Sequence, residues 1–202
     1  MPAATIRCPW SESNDLMTRY HDTEWGVPER DDRRLFEYLV LDAFQAGLSW
    51  AIVLKKREAF RRAFVEFDPH RVARFTPGRV DRLLADPGII RNRQKILATV
   101  TNAQRFLEVQ EAAGSFAAFI WPFIGGRPKQ NAWKTQGRLP ARTRESDRMS
   151  QALKARGFAF VGSTICYALM QAAGMVNDHL VTCFRHDEVR RLGRSLTASP
   201  EP

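Results

Sequence analysis

The chain has 202 residues, 44% of them hydrophobic, a formal net charge of +9 and a pI of about 10.1. This length predicts one domain, residues 1–194, around one core. No stretch approaches the roughly 20 apolar residues of a membrane span, and the N-terminus lacks the apolar run of a signal peptide, so we expect a soluble, cytoplasmic protein. The positive charge favours nucleic acid as the partner, with a basic protein that binds nothing in particular as the alternative.

Apolar residues recur at helical spacing from Asp31 onward and predict an amphipathic helix behind an acidic start. Similar patterns predict helices over residues 50–64, 69–75, 77–84, 90–109, 115–123, 146–156, 164–173 and 178–192. No run alternates β-branched residues as a strand does, so the predicted fold class is all-α. Residues 125–144, rich in Gly, Pro, Lys and Arg, are predicted to form a long surface loop, and residues 195–202 a disordered tail.

Two of the predicted helices, 146–156 and 164–173, are joined by a turn in which Gly157 and Gly162 bracket an apolar plug. Glycines permit a tight turn and let a phosphate come close, and the second helix, beginning near Ser163, presents unpaired N–H groups to an anion. The pattern fits a helix-hairpin-helix DNA clamp. A purely structural turn is the alternative, because any helical hairpin can end in glycine.

Cysteine and histidine residues near both ends of the chain form a candidate metal site. Cys8 and His21 lie near the start, and His179 and Cys183 lie near the end with the i, i+4 spacing that places both on one face of a helix. Four such ligands complete a closed tetrahedral site, which is structural because no position stays open. The alternative is two ordinary histidines and two buried cysteines. Cys166 is assigned to the core.

Five blocks of the sequence form a specific pattern: YHDTEWGVP (20–28), QAGLSW (45–50), GIIRNR (88–93), GFAFVGSTICY (157–167) and VNDH (176–179). In this order they closely resemble the DNA-3-methyladenine glycosylase I family, within the helix-hairpin-helix glycosylase superfamily. The similarity runs from about residue 7 to residue 185. This resemblance implies the helix-hairpin-helix glycosylase fold and monofunctional excision of 3-methyladenine from double-stranded DNA by a monomer.

The resemblance also implies roles for particular residues. One structural zinc ion per chain would be held by the four candidate ligands, and the base pocket would be lined by Tyr20, Trp25 and Trp50. For Trp25 a place in the buried core is the alternative. Contacts with DNA would come from the hairpin at Gly157, Gly162 and Ser163, and from a segment that probes the gap left in the duplex, at Gln45, Gly47 and Leu48.

The pocket carboxylate departs from the family pattern. The family places a glutamate where this chain has Asp42, one methylene shorter, and Asp42 is the predicted catalytic residue. Its alternative is a helix carboxylate with a local structural partner. Asp178 follows the hairpin, but it adjoins a predicted metal ligand and is interpreted as structural. Two other functions compete with excision: a non-catalytic binder of alkylated DNA, and a basic RNA-binding or structural zinc protein.

Overall fold

The computed structural model describes residues 5–195, and this part of the chain is mostly helical, as predicted. Residues 196–202, most of the predicted tail, lie outside the described residues, and Ser195 is the last residue of a helix. No helix within the described part is long and apolar enough to cross a membrane. The α-helices of residues 5–195 are α1 (Asp15–Thr23), α2 (Asp32–Gln45), α3 (Trp50–Lys55), α4 (Arg57–Ala63), α5 (Pro69–Val72), α6 (Pro77–Ala85), α7 (Arg93–Ala113), α8 (Phe116–Ile120), α9 (Arg144–Ala155), α10 (Ser163–Ala172) and α11 (Phe184–Ser195).

Side-chain caps fix where several helices begin. The carboxylate of Asp31 accepts a hydrogen bond from the backbone N–H of Arg34 at 2.9 Å, which confirms the predicted acidic start of α2. Thr143 caps α9 in a capping box with Ser146. Each cap satisfies backbone donors that the first turn of a helix leaves unpaired.

Helix α2 forms the centre of the core and is not amphipathic. All ten residues from Leu35 to Phe44 are buried, because α2 packs against α3, α7, α8 and α10. The buried set includes two carboxylates, Glu37 and Asp42. The apolar spacing in the sequence therefore identified the helix but underestimated its burial, and burial of these two carboxylates decides the chemistry described below.

Other helix boundaries differ from those predicted. Helix α1 was not predicted, and the predicted helix 50–64 is divided into α3 and α4 at Lys56. Helix α11 begins at Phe184, although its pattern extends back to Asp178. The predicted loop 125–144 contains β1 (Lys129–Gln130), which pairs in parallel with β2 (Val176–Asn177); two residues are too few to give a sequence signal.

Candidate functional site

A cavity of about 400 Å³ opens between α1, the end of α2, the start of α3 and α10. It brings together the three predicted pocket aromatics, Tyr20, Trp25 and Trp50. Sequence reasoning missed other lining residues: Trp10, Met17, Gln136, Leu139, Ala168, Gln171 and Ala172. Trp10 and Met17 precede the first helix that was predicted, so no periodic pattern singled them out.

The aromatic rings of this cavity pack against one another. Tyr20 and Trp50 have ring centroids 5.3 Å apart, and Trp10 and Trp25 meet edge to face at 5.0 Å. Trp25 also packs on the ring of His179 at 4.7 Å and is buried, so it is both a core residue and part of the cavity wall. Mutual packing holds the rings in place before any ligand arrives.

Two polar atoms at the cavity have no hydrogen-bond partner among residues 5–195. Asp42 is 2% exposed and its Oδ2 accepts no hydrogen bond from these residues, and the indole Nε1 of Trp50 is likewise buried without an acceptor among them. Burial raises the pKa of the Asp42 carboxyl well above its ordinary range. The alternative for Asp42, a helix carboxylate with a local structural partner, requires such a partner, and no described residue donates a hydrogen bond to Oδ2. Such orphan groups cost stability unless a ligand satisfies them.

The other buried carboxylate of α2 is compensated, in contrast to Asp42. Glu37 accepts hydrogen bonds from Arg57 at 2.7 Å, Arg61 at 2.8 Å and Arg34 at 2.7 Å. Arg57 in turn donates two hydrogen bonds to Glu24, at 2.7 and 2.8 Å. The charge of Arg57 is thus already paired, and its attraction for Asp42 lowers that pKa less than burial raises it.

The predicted probing segment follows α2 at the edge of the cavity. Gln45 lines the cavity, Gly47 has a φ of +80°, and Leu48 is 38% exposed. The ammonium of Lys95 donates to the carbonyls of Phe44 at 2.8 Å and Ala46 at 2.6 Å, so it anchors this segment to α7. Burial lowers the pKa of Lys95. Sequence reasoning missed Lys95, because its partners are backbone atoms about 50 residues away.

The hairpin lies beside the probing segment. A second cavity of about 380 Å³ adjoins the first, shares Gln45, Ala168 and Gln171 with it, and is lined by Gly47 and Leu48 together with the start of α10. The segment and the hairpin helix therefore border one continuous surface depression. Its remaining lining residues are Ala46, Pro140, Ala141, Thr164, Ile165 and Tyr167.

The hairpin has the turn geometry predicted for Gly157 but not for Gly162. Gly157 has a φ of +82°, and Phe158 and Val161 are buried as the apolar plug. Gly162 has an ordinary φ of −60°, and a Cβ there would meet nothing within 4 Å. The backbone at this position therefore does not require glycine, and the effect of Gly162 is to leave open space where α10 begins. The Ser163 hydroxyl lies 2.8 Å from that of Ser146, which joins the two helices.

The four candidate metal ligands meet in one buried cluster. The ligand atoms of Cys8, His21, His179 and Cys183 all lie within 4.8 Å of one another. His179 Nδ1 is 3.1 Å from His21 Nε2 and 3.8 Å from the Cys8 sulfur, and the Cys183 sulfur is 3.4 Å from His21 Nε2. A tetrahedral zinc ion with bonds of roughly 2.0–2.3 Å separates its ligands by about 3.3–3.8 Å, so this donor set fits a metal ion.

Outer contacts orient the two histidines for metal binding. The Nδ1 of His21 lies 2.7 Å from Asp22, and the Nε2 of His179 lies 3.0 Å from the carbonyl of Trp25, so each ring turns its other nitrogen toward the cluster. The prediction that His179 and Cys183 share one face of a helix is wrong, however. His179 and Cys183 precede α11 and lie in a non-helical segment that nevertheless brings their ligand atoms to 3.7 Å.

Asp178, next to His179, is a hub of four hydrogen bonds. Its buried carboxylate accepts them from Tyr167 at 2.6 Å and from Asn131, Trp133 and Gln171 at 2.7 Å each. These bonds join α10 to the loop that follows β1, in agreement with the structural role predicted for Asp178. They also fix Gln171, which lines the main cavity.

Comparison with known proteins places the chain in a family. The methyladenine glycosylase profile matches residues 10–186. DNA-3-methyladenine glycosylase 1 of Escherichia coli (strain K12) is 49% identical over 177 residues, which cover 88% of this chain and 95% of the relative.

Solved structures agree. A crystal structure of 3-methyladenine DNA glycosylase I superposes with a TM-score of 0.87 at 49% identity, covering 89% of this chain and 98% of the other. A structure that describes 3-methyladenine recognition by the Staphylococcus aureus enzyme superposes with a TM-score of 0.86 at 35% identity, covering 90% and 97%. The chain belongs to the methyladenine glycosylase family.

Proposed function

We propose that this chain excises 3-methyladenine from alkylated double-stranded DNA by flipping the base and hydrolysing its N-glycosidic bond. The observation that carries the proposal is the aromatic cavity with an unpartnered, buried carboxylate at Asp42. The relatives named above act on this base according to their names, and they match the chain over nearly its whole length. A planar base against the aromatic rings, with its polar edge toward Asp42, suits this cavity.

The chemistry requires little acid catalysis. Methylation at N3 leaves the adenine cationic, so the leaving group is already activated. Water adds to C1′, the bond from C1′ to N9 breaks, and its electron pair leaves with neutral 3-methyladenine while a proton is released. Before that step the nucleotide must leave the helix, at a cost of a few kcal/mol that a damaged base reduces.

The aromatic wall, which we define as the four cavity-lining residues Trp10, Tyr20, Trp25 and Trp50, selects for the charge of the base. Tyr20 and Trp50 line the cavity, and a cation over the face of either ring would gain roughly 0.5–2 kcal/mol. Unmodified adenine is neutral and gains less. The rings therefore favour the alkylated base before any hydrogen bond is considered.

Asp42 extends this selection. In the free protein its carboxyl lacks hydrogen-bond donors at Oδ2, and burial favours the neutral form. A cationic base with an exocyclic amino group supplies both a donor and a positive charge, which favours the ionised carboxylate. Neutral adenine supplies the hydrogen-bond donor but no positive charge, so it stabilises the ionised form of the buried carboxylate less.

Binding of the duplex falls to the surface around the cavity. The start of α10, with open space at Gly162 and N–H groups beyond Ser163, can approach a phosphate closely. We expect Leu48, the exposed apolar residue of the probing segment, to enter the stack that the flipped base leaves. We expect the protein to act as a monomer, since one chain supplies the cavity, the hairpin and the probing segment.

The metal cluster is proposed to hold one zinc ion. Cys8, His21, His179 and Cys183 complete its four positions, and the bound ion would supply a crosslink between the two ends of the chain. The cluster packs directly behind the aromatic wall, because Trp25 contacts both His21 and His179. Its contribution to function is therefore to hold that wall in place.

Release of free 3-methyladenine from methylated duplex DNA, measured with enzyme in excess, tests the proposal. We expect release by the unaltered protein, a large loss for Asp42→Asn, and activity retained in Asp42→Glu, which restores the family residue. No release by any of the three would refute excision. Release by Asp42→Glu alone, with selective binding of methylated DNA by the unaltered chain, would identify a non-catalytic damage binder.

A further inference from the structure

Part of the predicted loop borders both cavities. We define the rim segment as residues 134–142. Within it, Gln136 and Leu139 line the main cavity, and Pro140 and Ala141 line the second cavity together with Gly47 and Leu48 of the probing segment. The rim segment therefore lies at the edge of the site proposed to receive the flipped nucleotide.

The rim segment is held at both ends. Before it, Trp133 donates its indole N–H to Asp178 at 2.7 Å and accepts a backbone hydrogen bond from Val181 at 2.9 Å. After it, Thr143 caps α9. Because both flanks are fixed, binding a ligand along the segment orders little additional chain.

The charges of this region are all of one sign. Residues 125–144 contain six Lys and Arg residues and no Asp or Glu. Lys129 is paired with Glu145 at 2.7 Å, and Arg142, 69% exposed, lies 3.8 Å from Asp147. Lys134 and Arg138 are exposed and have no ion-pair partner among the described residues 5–195.

We propose that Lys134 and Arg138 bind the DNA phosphates that flank the flipped nucleotide, as a second backbone contact beside the hairpin. The inference rests on the proposed function, because base flipping brings those phosphates to the mouth of the cavity. Each cation lies two positions along the chain from Gln136, which lines the cavity, and neither must break an ion pair with the described residues to bind. When an unpaired cation binds a phosphate, the DNA releases counterions that were condensed on it, so binding depends on the salt concentration.

The test compares two double variants that remove the same charge. Lys134→Gln with Arg138→Gln removes the proposed contacts. Arg33→Gln with Arg62→Gln is the control. Arg33 lies in the first turn of α2, whereas the probing segment follows the other end of that helix. Arg62 lies on α4, and α4 contacts the first half of α2 through the ion pair between Arg61 and Glu37.

Binding is measured on duplex DNA that contains a stable abasic-site analogue, over a range of salt concentrations. Each lost phosphate contact reduces the slope of log K against log salt by about 0.9. We expect a reduction of about 1.8 for the rim variant and none for the control relative to the unaltered protein. Equal slopes for the rim variant and the unaltered protein would overturn the inference, as would an equal reduction in the control.

Base release at saturating enzyme separates this inference from other roles. If the rim segment only covers the base, the rim variant releases less base at saturating enzyme, but the slope of log K against log salt stays that of the unaltered protein. That result also overturns the inference. If the unaltered protein releases no base yet the slopes differ as expected, the proposed function fails and the phosphate contacts stand. Binding to the analogue involves no chemistry, so the two results are independent.

Discussion

Replacing Asp42 with Asn should stabilise the protein increasingly as pH rises. Asp42 is buried at the cavity, no described residue donates a hydrogen bond to its Oδ2, and the nearby charge of Arg57 is already shared by Glu24 and Glu37. Burial therefore raises the pKa of this carboxyl in the folded state above its value in the unfolded chain. Between those two pKa values the folded protein binds one proton more than the unfolded protein.

The sign follows from proton linkage. Stability from a group with a raised pKa is complete below the unfolded pKa, near 4, and is lost as pH rises through the folded pKa. Within that window the unaltered protein loses about 1.4 kcal/mol per pH unit relative to Asp42→Asn. Above the folded pKa the difference becomes constant. The same substitution should cause a large loss of base release, so stability and activity change in opposite directions.

The measurement is urea unfolding at pH 5, 6 and 7. Glu37→Gln is the contrasting variant: despite burial, hydrogen bonds from Arg57 and Arg61 lower the pKa of Glu37, so its contribution is already complete at pH 5. Removing it should cost about 3–5 kcal/mol with no slope across this range, because a buried charge pair is broken. A difference between Asp42→Asn and the unaltered protein that stays flat from pH 5 to pH 7 would refute the argument for Asp42.

Four further outcomes are expected. Trp50→Ala should reduce base release by roughly 5- to 150-fold, the equivalent of about 1–3 kcal/mol of stacking, with little change in binding to undamaged duplex; equal losses in both assays would contradict the pocket assignment. Gly162→Leu should weaken binding to damaged and undamaged duplex alike, as measured by titration, and a lesion-selective loss would argue against a backbone clamp. Metal analysis should find about one zinc ion per chain, absent from Cys183→Ser, and metal-free unaltered protein would remove the site. Lys95→Met should lower the free energy of unfolding in urea by about 2–3 kcal/mol, since two carbonyls lose a charged donor; no measurable loss would show that Lys95 does not anchor the segment.

The sequence predicted features that depend on helical periodicity or on short motifs of neighbouring residues. Helix α2, the hairpin glycines and the three pocket aromatics follow from spacing or from family motifs, and the structure places the aromatics at one cavity. The roles predicted for individual residues remain predictions until the assays above are done.

What the sequence did not predict depends on contacts between distant segments. The pattern over residues 178–192 is periodic, yet the helix begins only at Phe184, because Asp178 and His179 are engaged in tertiary contacts. The hydrogen bonds of Lys95 and the full burial of α2 likewise arise from packing, which no local pattern reports.

The metal cluster has a consequence for how the protein is made. Cys183 meets His21 across 162 positions of chain, and Trp10, Tyr20 and Trp25 belong to the early segment that this meeting secures. Ribosomes add about 5–20 residues per second, so the first ligands wait on the order of ten seconds for the last. During translation the aromatic wall is exposed apolar surface without its anchor. The ability to select a damaged base is therefore acquired late in synthesis, after most of the helical core has been made.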